Sequence, residues 1–232
     1  MTTAVTHPFL SNRKVVFLLA SLCCLVWGSS YPAIKNGFEM FVITPGDTAA
    51  RLIFAGWRSM LAGVVLLVVC SGSKKNILRL SARNWLDVTS LGLLQTSFMF
   101  VFFYIGLAHT SGVKSSVLNG TVSFFGVLLA HFIYRNDRLS WPKSAGCLVG
   151  FAGVLVVNVG HDVLGFNFTL LGEGFIVLSA FFMAAGMIYG KKISQRLDST
   201  VMTAHQLTIG GLVMLLAGWW MGGELARLTV GS

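Results

Sequence analysis

The chain has 232 residues and a formal net charge of +9, yet only 11% of its residues are charged and 55% are hydrophobic. Soluble domains carry about a quarter charged residues, and the mean hydropathy here is +0.77, so an ordinary soluble fold is excluded. A nucleic-acid partner is not expected either, because the basic residues are spread over separate loops instead of forming one continuous face. The composition predicts a chain that works in contact with membrane lipid.

Seven apolar stretches follow one another along the chain, each with a length of about 20 residues that matches the hydrocarbon core of a bilayer. They cover residues 15–34, 52–70, 88–107, 113–134, 144–160, 170–190 and 201–223. The connections between them are short and leave no room for an aqueous domain. We therefore predict an all-α polytopic membrane protein with about seven transmembrane helices.

Basic residues gather in alternate connections: before the first stretch, between the second and third, after the fourth and after the sixth. These positions are Arg13, Lys14, Lys74, Lys75, Arg79, Arg83, Arg135, Arg138, Lys143, Lys191, Lys192 and Arg196. Cytoplasmic loops carry the Lys and Arg excess of membrane proteins. The pattern predicts a multi-pass protein of the plasma membrane with a cytoplasmic N-terminus.

Small residues indicate tight turns and close helix contacts. Residues 110–112, Thr-Ser-Gly, predict a short hairpin between the third and fourth helices, and Pro142 suits the first turn of the fifth. Gly146, Gly150 and Gly153 lie on roughly one side of that fifth helix. Such glycines allow helix backbones to approach closely, either within one bundle or in a homodimer, and the sequence leaves both interpretations open.

A weak internal repeat links the two parts of the chain. Residues 27–35 end the first apolar stretch much as residues 183–191 end the sixth, with small residues followed by a lysine. Residues 57–63 and 205–211 in the next helices also correspond. Because the first and sixth helices are five crossings apart, the two repeats run in opposite directions, which is typical of many secondary transporters.

These residues, taken in order, resemble the EamA-type permeases of the drug/metabolite transporter superfamily. The similarity extends over residues 15–222. The segments that carry it are 27–31 with Lys35, Arg58, 104–113, 137–139, 146–157 and 172–173. At 137–139 the chain has Asp-Arg-Leu where the family usually has Glu-Arg-Leu, and at 172–173 it has Gly-Glu where the family has Gly-Asp. One departure is that the proline which commonly interrupts the fourth span is replaced near Phe124 and Phe125.

The resemblance implies a ten-helix inverted-repeat fold, of which this chain lacks the last three helices. Residues 1–160 would form the first five-helix repeat, and residues 161–232 a partial second repeat of two helices. The implied function is a secondary-transport permease that moves a small metabolite or amphiphilic compound across the plasma membrane, as export, by alternating access. The alternative is a truncated or partner-dependent membrane scaffold without transport activity of its own, with the missing C-terminal helices supplied elsewhere.

Four charged residues, Lys35, Arg58, Lys114 and Glu173, fall near the predicted outer ends of the spans. Charges at depth in a bilayer are costly and therefore mark candidate functional positions. Three interpretations remain open: an ion pair between Glu173 and either Arg58 or Lys114, a polar cluster at the outer end of a central cavity, and side chains that extend to the headgroups. Because residues 15–34 contain no carboxylate, we predict a neutral, zwitterionic or anionic solute and not a lipophilic cation.

Deeper polar groups and the charged residues together form the predicted substrate-binding set. Its members are Trp27, Ser29, Ser30, Tyr31, Lys35, Arg58, Gln95, Tyr104, Asn119, Glu173 and Gln206. Hydroxyl and amide groups orient a substrate by hydrogen bonds, although the same groups also join helices to one another. The sequence has no phosphate-binding loop and no histidine or cysteine pair at metal spacing. It therefore predicts a non-enzyme without cofactor or metal.

Overall fold

The computed structural model describes residues 12–44, 46–73, 80–110, 112–134, 140–158 and 169–224. Within these ranges the regular structure is helical throughout. The helices are α1 (Arg13–Met40), α2 (Thr48–Gly72), α3 (Ala82–His109), α4 (Gly112–Asn119 and Thr121–Ile133), α5 (Trp141–Asn158), α6 (Leu170–Ile193) and α7 (Ser199–Trp220). Each predicted apolar stretch overlaps one of them, so the predicted all-α polytopic fold class is confirmed.

Five of these helices, α2, α3, α4, α6 and α7, are long and apolar enough to cross a membrane, as judged on the described residues alone. Their most apolar segments have mean hydropathies from 1.5 to 2.1. Large apolar side chains also face outward, among them Leu61, Val65, Val68, Leu86 and Leu212. An exterior of this kind is stable in contact with acyl chains and not with water.

Local signals explain where the helices begin. The side chains of Asp47, Ser81 and Asp198 each accept a backbone N–H two or three residues further on, at 2.9 to 3.3 Å, which caps α2, α3 and α7. The predicted hairpin is confirmed, because α3 ends at His109 and α4 begins at Gly112. Pro142 occupies the first turn of α5, as expected.

The chain forms two compact units, Met1–Thr44 with Leu228–Ser232, and Pro45–Arg227. Of the described helices, α1 belongs to the first unit and α2 to α7 belong to the second. Asn12 caps α1 by accepting the Lys14 backbone N–H at 3.0 Å. The first half of α1 exposes large apolar side chains such as Phe17 and Leu25.

In the second unit, α2 and α7 lie against each other through glycines. A Cβ atom at Gly63 would lie 2.8 Å from the Ala204 carbonyl oxygen, and a Cβ atom at Gly211 would lie 2.8 Å from the Gly56 carbonyl oxygen. A Cβ at Gly218 would likewise approach the Ala49 carbonyl oxygen to 3.0 Å. The two backbones reach this separation only because these positions have no side chain.

The contact between α2 and α7 is reciprocal. Gly63 lies against Ala204, and Gly211 lies against Gly56. The offset in sequence from Gly63 to Gly211 equals the offset from Gly56 to Ala204. The same offset aligns residues 57–63 with residues 205–211. Exchanging the two antiparallel helices therefore maps the contact onto itself, as in a two-fold symmetric interface.

Helix α6 packs antiparallel to α3 on one side and contacts α4 on the other. The rings of Phe102 and Phe182 stack with centroids 5.4 Å apart and planes 4° apart, and Phe125 of α4 meets Phe181 edge-on at 5.5 Å. Stacked and edge-on aromatic pairs add to the burial of their apolar surface. These rings fix how α6 lies between α3 and α4.

Two helices depart from regular α geometry in their interiors. Residues Gly92–Phe98 of α3 form a π-helical segment. Helix α4 is interrupted at Gly120, whose N–H donates to the Val117 carbonyl three residues back at 3.1 Å. The helix is continuous at Phe124 and Phe125, so a break exists in the fourth span although no proline produces it.

The glycines of α5 differ from those of α2 and α7. No atom of the described residues lies within 4 Å of a Cβ built on Gly146, Gly150 or Gly153. Close packing of these three positions against the described residues of the bundle is therefore not seen, and packing within one bundle stays a prediction. Their interpretation as a homodimer contact stays a prediction.

Candidate functional site

One end of the α3–α6 pair is built around Glu173, whose exposed fraction is 7%. Its Oε1 accepts the Thr110 hydroxyl at 2.7 Å, and its Oε2 accepts the Thr169 backbone N–H at 2.8 Å and the Thr169 hydroxyl at 2.7 Å. Lys114 Nζ lies 3.7 Å from Oε1. The carboxylate thus has three neutral donors and one more distant cation.

The start of α6 explains this arrangement. Thr169 caps the helix, because its Oγ1 accepts the Gly172 N–H at 3.2 Å, and the first turn is π-helical. Gly172 lets the α3–α4 hairpin approach, since a Cβ there would lie 3.0 Å from the His109 carbonyl oxygen. Of the two partners predicted for Glu173, Lys114 is therefore confirmed, whereas the Arg58 alternative is wrong because Arg58 contacts a different group.

The middle of α3 forms a polar seam with α7, defined by Gln95, Thr96, Ser97, Gln206 and Gly210. Gln206 Nε2 donates to Gln95 Oε1 at 3.3 Å and to Thr96 Oγ1 at 3.4 Å. The Ser97 hydroxyl lies 3.3 Å from the Gly92 carbonyl oxygen and 3.2 Å from that of Gly210. The predicted residues Gln95 and Gln206 are thus in direct contact, although they are more than 100 positions apart.

The π-helical segment produces this seam. In a π-helix each backbone N–H donates to the carbonyl five residues earlier, whereas in an α-helix it donates to the carbonyl four residues earlier. The main chain of the π-helical segment is therefore locally mismatched with the adjoining α-helix. The Ser97 hydroxyl supplies a hydrogen bond to Gly92, five residues earlier. π-Helical turns inside α-helices frequently occur at functional sites, and this one carries three consecutive polar side chains.

Arg58 and Tyr104 form a second group, where α2 meets α3. The Arg58 guanidinium carbon lies 5.7 Å from the centroid of the Phe100 ring, a cation–π geometry. The Phe100 and Tyr104 rings stack with centroids 5.9 Å apart, and Tyr104 is 4% exposed. Arg58 and Arg51 both lie within electrostatic reach of the Tyr104 hydroxyl.

The opposite end of the α3–α6 pair holds a group that sequence reasoning missed. Asp87 of α3 accepts the Tyr189 hydroxyl at 2.6 Å on Oδ1 and Arg196 Nη2 at 2.6 Å on Oδ2. Close by, Lys191 Nζ lies 4.7 Å from the centroid of the Tyr134 ring. An acidic residue inside an apolar helix is itself a signal, and Asp87 escaped notice because it directly precedes the predicted third stretch.

The remaining predicted residues lie elsewhere. Ser29 in α1 is exposed and donates to the Val26 carbonyl at 2.9 Å. Asn119 stands at the break in α4 and is partly buried. The side chains of four further candidates in α1 fall outside the described part of the chain: Trp27, Ser30, Tyr31 and Lys35. Among the described residues there is no group of three histidine, cysteine or acidic side chains that could hold a metal ion.

Comparison with known families decides the class of this protein. The chain matches the EamA-like transporter family over residues 14–159 and 170–230, which is most of its length. The protein is a member of this family. The predicted resemblance to the drug/metabolite transporter superfamily is therefore confirmed, and the chain is a multi-pass membrane protein.

Related proteins carry transporter descriptions. The chain is 29% identical to the "Uncharacterized transporter YvbV" of Bacillus subtilis over 91% of the chain and 65% of the relative. It is 28% identical to the "WAT1-related protein At3g02690, chloroplastic" of Arabidopsis thaliana over 82% of the chain and 44% of the relative. It is also 28% identical to a "Probable terminal-alkyne amino-acid exporter" of Streptantibioticus cattleyicolor over 64% of the chain and 46% of the relative.

The chain spans 65% and 66% of the length of the first two curated relatives it matches. No solved structure matches it. Two of these three relatives are named as a transporter and an exporter, which is consistent with the predicted non-enzyme. Family and fold thus agree on a membrane protein built from apolar helices.

Proposed function

We propose that this EamA-like transporter is a secondary permease that exports a small metabolite or amphiphilic compound across the plasma membrane by alternating access. The observation that carries the proposal is the reciprocal contact of α2 with α7, beside the polar seam. Transporters of inverted-repeat architecture bind solute between the repeats and rock one repeat against the other. A two-fold contact between antiparallel helices is the local geometry that such an architecture requires.

The polar seam supplies groups that suit a solute site. Gln95, Thr96 and Gln206 present amide and hydroxyl groups at the middle of α3, and the rings of Phe98, Phe102 and Phe182 lie along the same helix pair. Binding sites for small molecules combine an apolar lining with few, well-placed polar groups. The hydrogen bonds of Gln206, at 3.3 and 3.4 Å, are long enough to exchange for bonds to a solute.

Alternating access requires that the two ends of the bundle open in turn. Asp87 and Thr110 are about 35 Å apart along α3 at 1.5 Å per residue, which is close to the thickness of the hydrocarbon core. A buried carboxylate therefore ties α3 to α6 at each membrane surface, Asp87 at one and Glu173 at the other. We assign these two contacts as the closures that separate when the protein opens to either side.

The charge distribution supports a cytoplasmic location for the Asp87 end. Arg83, Lys191, Lys192 and Arg196 are found at that end of α3 and α6, and cytoplasmic loops carry such an excess. Reporter fusions after residues 80 and 195 should therefore report a cytoplasmic location, and a fusion after residue 165 an external one. A cytoplasmic signal from residue 165 would contradict the proposed orientation.

The proposed direction and solute size rest on the family and on one relative. The Streptantibioticus protein is described as a probable exporter of a terminal-alkyne amino acid, which is a small metabolite with polar and apolar parts. A site with amide groups beside aromatic rings suits a compound of that kind. Export from the cytoplasm follows if this protein works in the same direction.

The test is flux in proteoliposomes that contain the purified full chain, with radiolabelled amino acids, organic acids and a quaternary ammonium dye as probes. We expect saturable flux of at least one probe, and a loss of about tenfold or more in Gln206→Leu, because a buried amide that orients a solute is removed. The exposed Gln195 offers the matched control Gln195→Leu, which should transport normally. Correctly folded protein without flux of any probe would contradict the proposal and favour the scaffold alternative.

A further inference from the structure

Arg58 is a cation inside an apolar helix and has no anionic partner within the part of the chain that the structure describes. It stands in the Thr48–Gly72 segment, and among the described residues no carboxylate forms an ion pair or hydrogen bond with it. The contact that the structure gives its guanidinium is the face of the Phe100 ring. An arginine at such a depth is costly to insert, by about 2.5–3.5 kcal/mol at a helix centre, so its retention calls for a ligand.

The two buried carboxylates among the described residues of the same unit, Glu173 and Asp87, have other partners. Glu173 is held by the hydroxyls of Thr110 and Thr169 and by Lys114. Asp87 is bound to Arg196 at the opposite end of α3. Neutralisation of Arg58 by these carboxylates would require breaking contacts that the structure already contains.

Tyr104 is a second, independent indication of a ligand. Its side chain is 4% exposed, yet its hydroxyl makes no hydrogen bond with any other described residue. The ring is buried, and the hydroxyl is the one polar atom of this side chain that can donate a hydrogen bond to a ligand. The hydroxyl lies within electrostatic reach of Arg58 and Arg51, so an acceptor placed between it and the guanidinium would satisfy both.

The surroundings keep these groups in place. The Phe100 ring stacks on Tyr104 one turn away with an interplanar angle of 17°, and Arg58 lies over the Phe100 ring. Arg51 precedes Arg58 by two helical turns and therefore lies on the same face of α2, about 10 Å away. Positive charge from Arg58 and Arg51 and the aromatic rings of Phe100 and Tyr104 thus lie together where α2 contacts α3.

We propose that Arg58 and the Tyr104 hydroxyl form a carboxylate subsite for the transported solute, an organic acid or an amino acid. The proposal rests on the transport function proposed above. The guanidinium donates two parallel N–H bonds to the carboxylate oxygens, a geometry that arginine provides and lysine does not. The tyrosine hydroxyl donates a third bond, and Arg51 adds positive potential.

The experiment compares three probes of nearly equal size and different charge: phenylacetate, phenylacetamide and phenethylamine. Their dissociation constants for the purified full chain in detergent are measured by titration calorimetry. We expect phenylacetate to bind about tenfold or more tightly than the neutral and cationic probes, since a charge-assisted bidentate bond is lost with them. Phenylalanine, which has the same carboxylate, should compete with phenylacetate.

Variants assign the preference to named groups. Arg58→Gln should abolish the preference for phenylacetate, Arg58→Lys should retain only part of it, and Tyr104→Phe should weaken phenylacetate binding by a few fold while sparing the amide. Lys192→Gln removes an exposed cation elsewhere and should bind all probes normally. Arg58→Lys and Tyr104→Phe keep the inference testable if Arg58→Gln does not fold, as judged by size exclusion.

The inference is overturned if phenylacetate binds equally to Arg58→Gln and to Lys192→Gln, if phenethylamine binds best, or if no probe binds. Flux provides the separate test of the proposed function. Arg58-dependent binding in a protein without flux would support the carboxylate subsite and contradict the permease. Flux of a carboxylate solute that is unchanged in Arg58→Lys and Tyr104→Phe would support the permease and contradict the subsite.

Discussion

The two ends of the α3–α6 pair each bury a carboxylate, but they stabilise it in different ways. Asp87 is bound by a guanidinium and a phenol at 2.6 Å each, and both donors come from residues about 100 positions further along the chain. Glu173 accepts two of its hydrogen bonds from Thr169, which starts its own helix, and its cation lies at 3.7 Å. One carboxylate therefore depends on tertiary contact and the other mostly on local structure.

This difference has consequences for opening. The first turn of a helix favours an acidic side chain, through its unpaired N–H groups and the helix dipole. Glu173 would keep the two bonds from Thr169 if α3 moved away, and would lose the bond from Thr110. Asp87 would lose both of its donors in the same movement. Separation at the Asp87 end should accordingly be the more costly of the two.

The largest effect is expected for Asp87→Ala. Removal of the carboxylate leaves the Arg196 guanidinium and the Tyr189 hydroxyl without their acceptor, which should lower the free energy of unfolding by about 2–3 kcal/mol. The partial exposure of Arg196, at 31% of its side chain, keeps the loss below that of a fully buried pair. Unfolding in mixed micelles measures it. Arg83→Ala, an exposed cation on the same helix, should change stability by less than about 0.5 kcal/mol, and an equal loss in both variants would contradict the assignment.

A smaller effect is expected for Thr169→Val at the other end. The variant keeps the size of the side chain but removes the hydroxyl that caps α6 and donates to Glu173, with an expected loss of about 1–2 kcal/mol. Thr169→Ser retains the hydroxyl and serves as the control. If serine and valine destabilise the protein equally in the same unfolding assay, local donors are not what stabilises Glu173.

The smallest effect is expected for Lys114→Gln. The Lys114 amine is 3.7 Å from Glu173, and the side chain is about a quarter exposed. The free energy of unfolding should therefore fall by about 0.5 kcal/mol or less, as for other exposed ion pairs. Arg196→Gln removes the corresponding cation at the other end. This variant should lower the free energy of unfolding by clearly more, because the bond from Arg196 to the buried Asp87 carboxylate is short. A larger loss of stability for Lys114→Gln than for Arg196→Gln would show that the cation contributes more to Glu173 than to Asp87.

The candidate site could be predicted from the sequence only in part. Gln95, Gln206, Arg58, Tyr104 and Glu173 were recognisable because polar groups inside apolar stretches are rare and costly. Which of them meet was not recognisable, and Arg58 was paired with Glu173 as one alternative although it lies on Phe100. Partners of a charged group depend on helix rotation and register, which hydropathy does not contain.

Glycines show the same limit. The spacing of Gly146, Gly150 and Gly153 indicated a packed face in α5, yet these positions have open space around them in the structure. Gly63 and Gly211, which stand in the two repeat-related segments, are in backbone contact instead. A small residue permits two helix backbones to approach closely but does not cause them to do so. The glycine pattern therefore identifies helix faces that could pack closely, and does not identify which of these faces are packed in the fold.

The sequence by itself determined the approximate positions of the described helices, the hairpin at residues 110–112 and the family, because apolar length, turn residues and caps act over a few neighbouring positions. The tertiary structure alone decided the π-helical segment Gly92–Phe98, the reciprocal contact of α2 with α7 and the binding of Asp87 to Tyr189 and Arg196. Each of these joins residues about 100 or more positions apart, or adjusts a helix so that such residues can meet. In an apolar environment a polar group is stable only with a partner, and only the packed helices bring that partner within hydrogen-bonding distance.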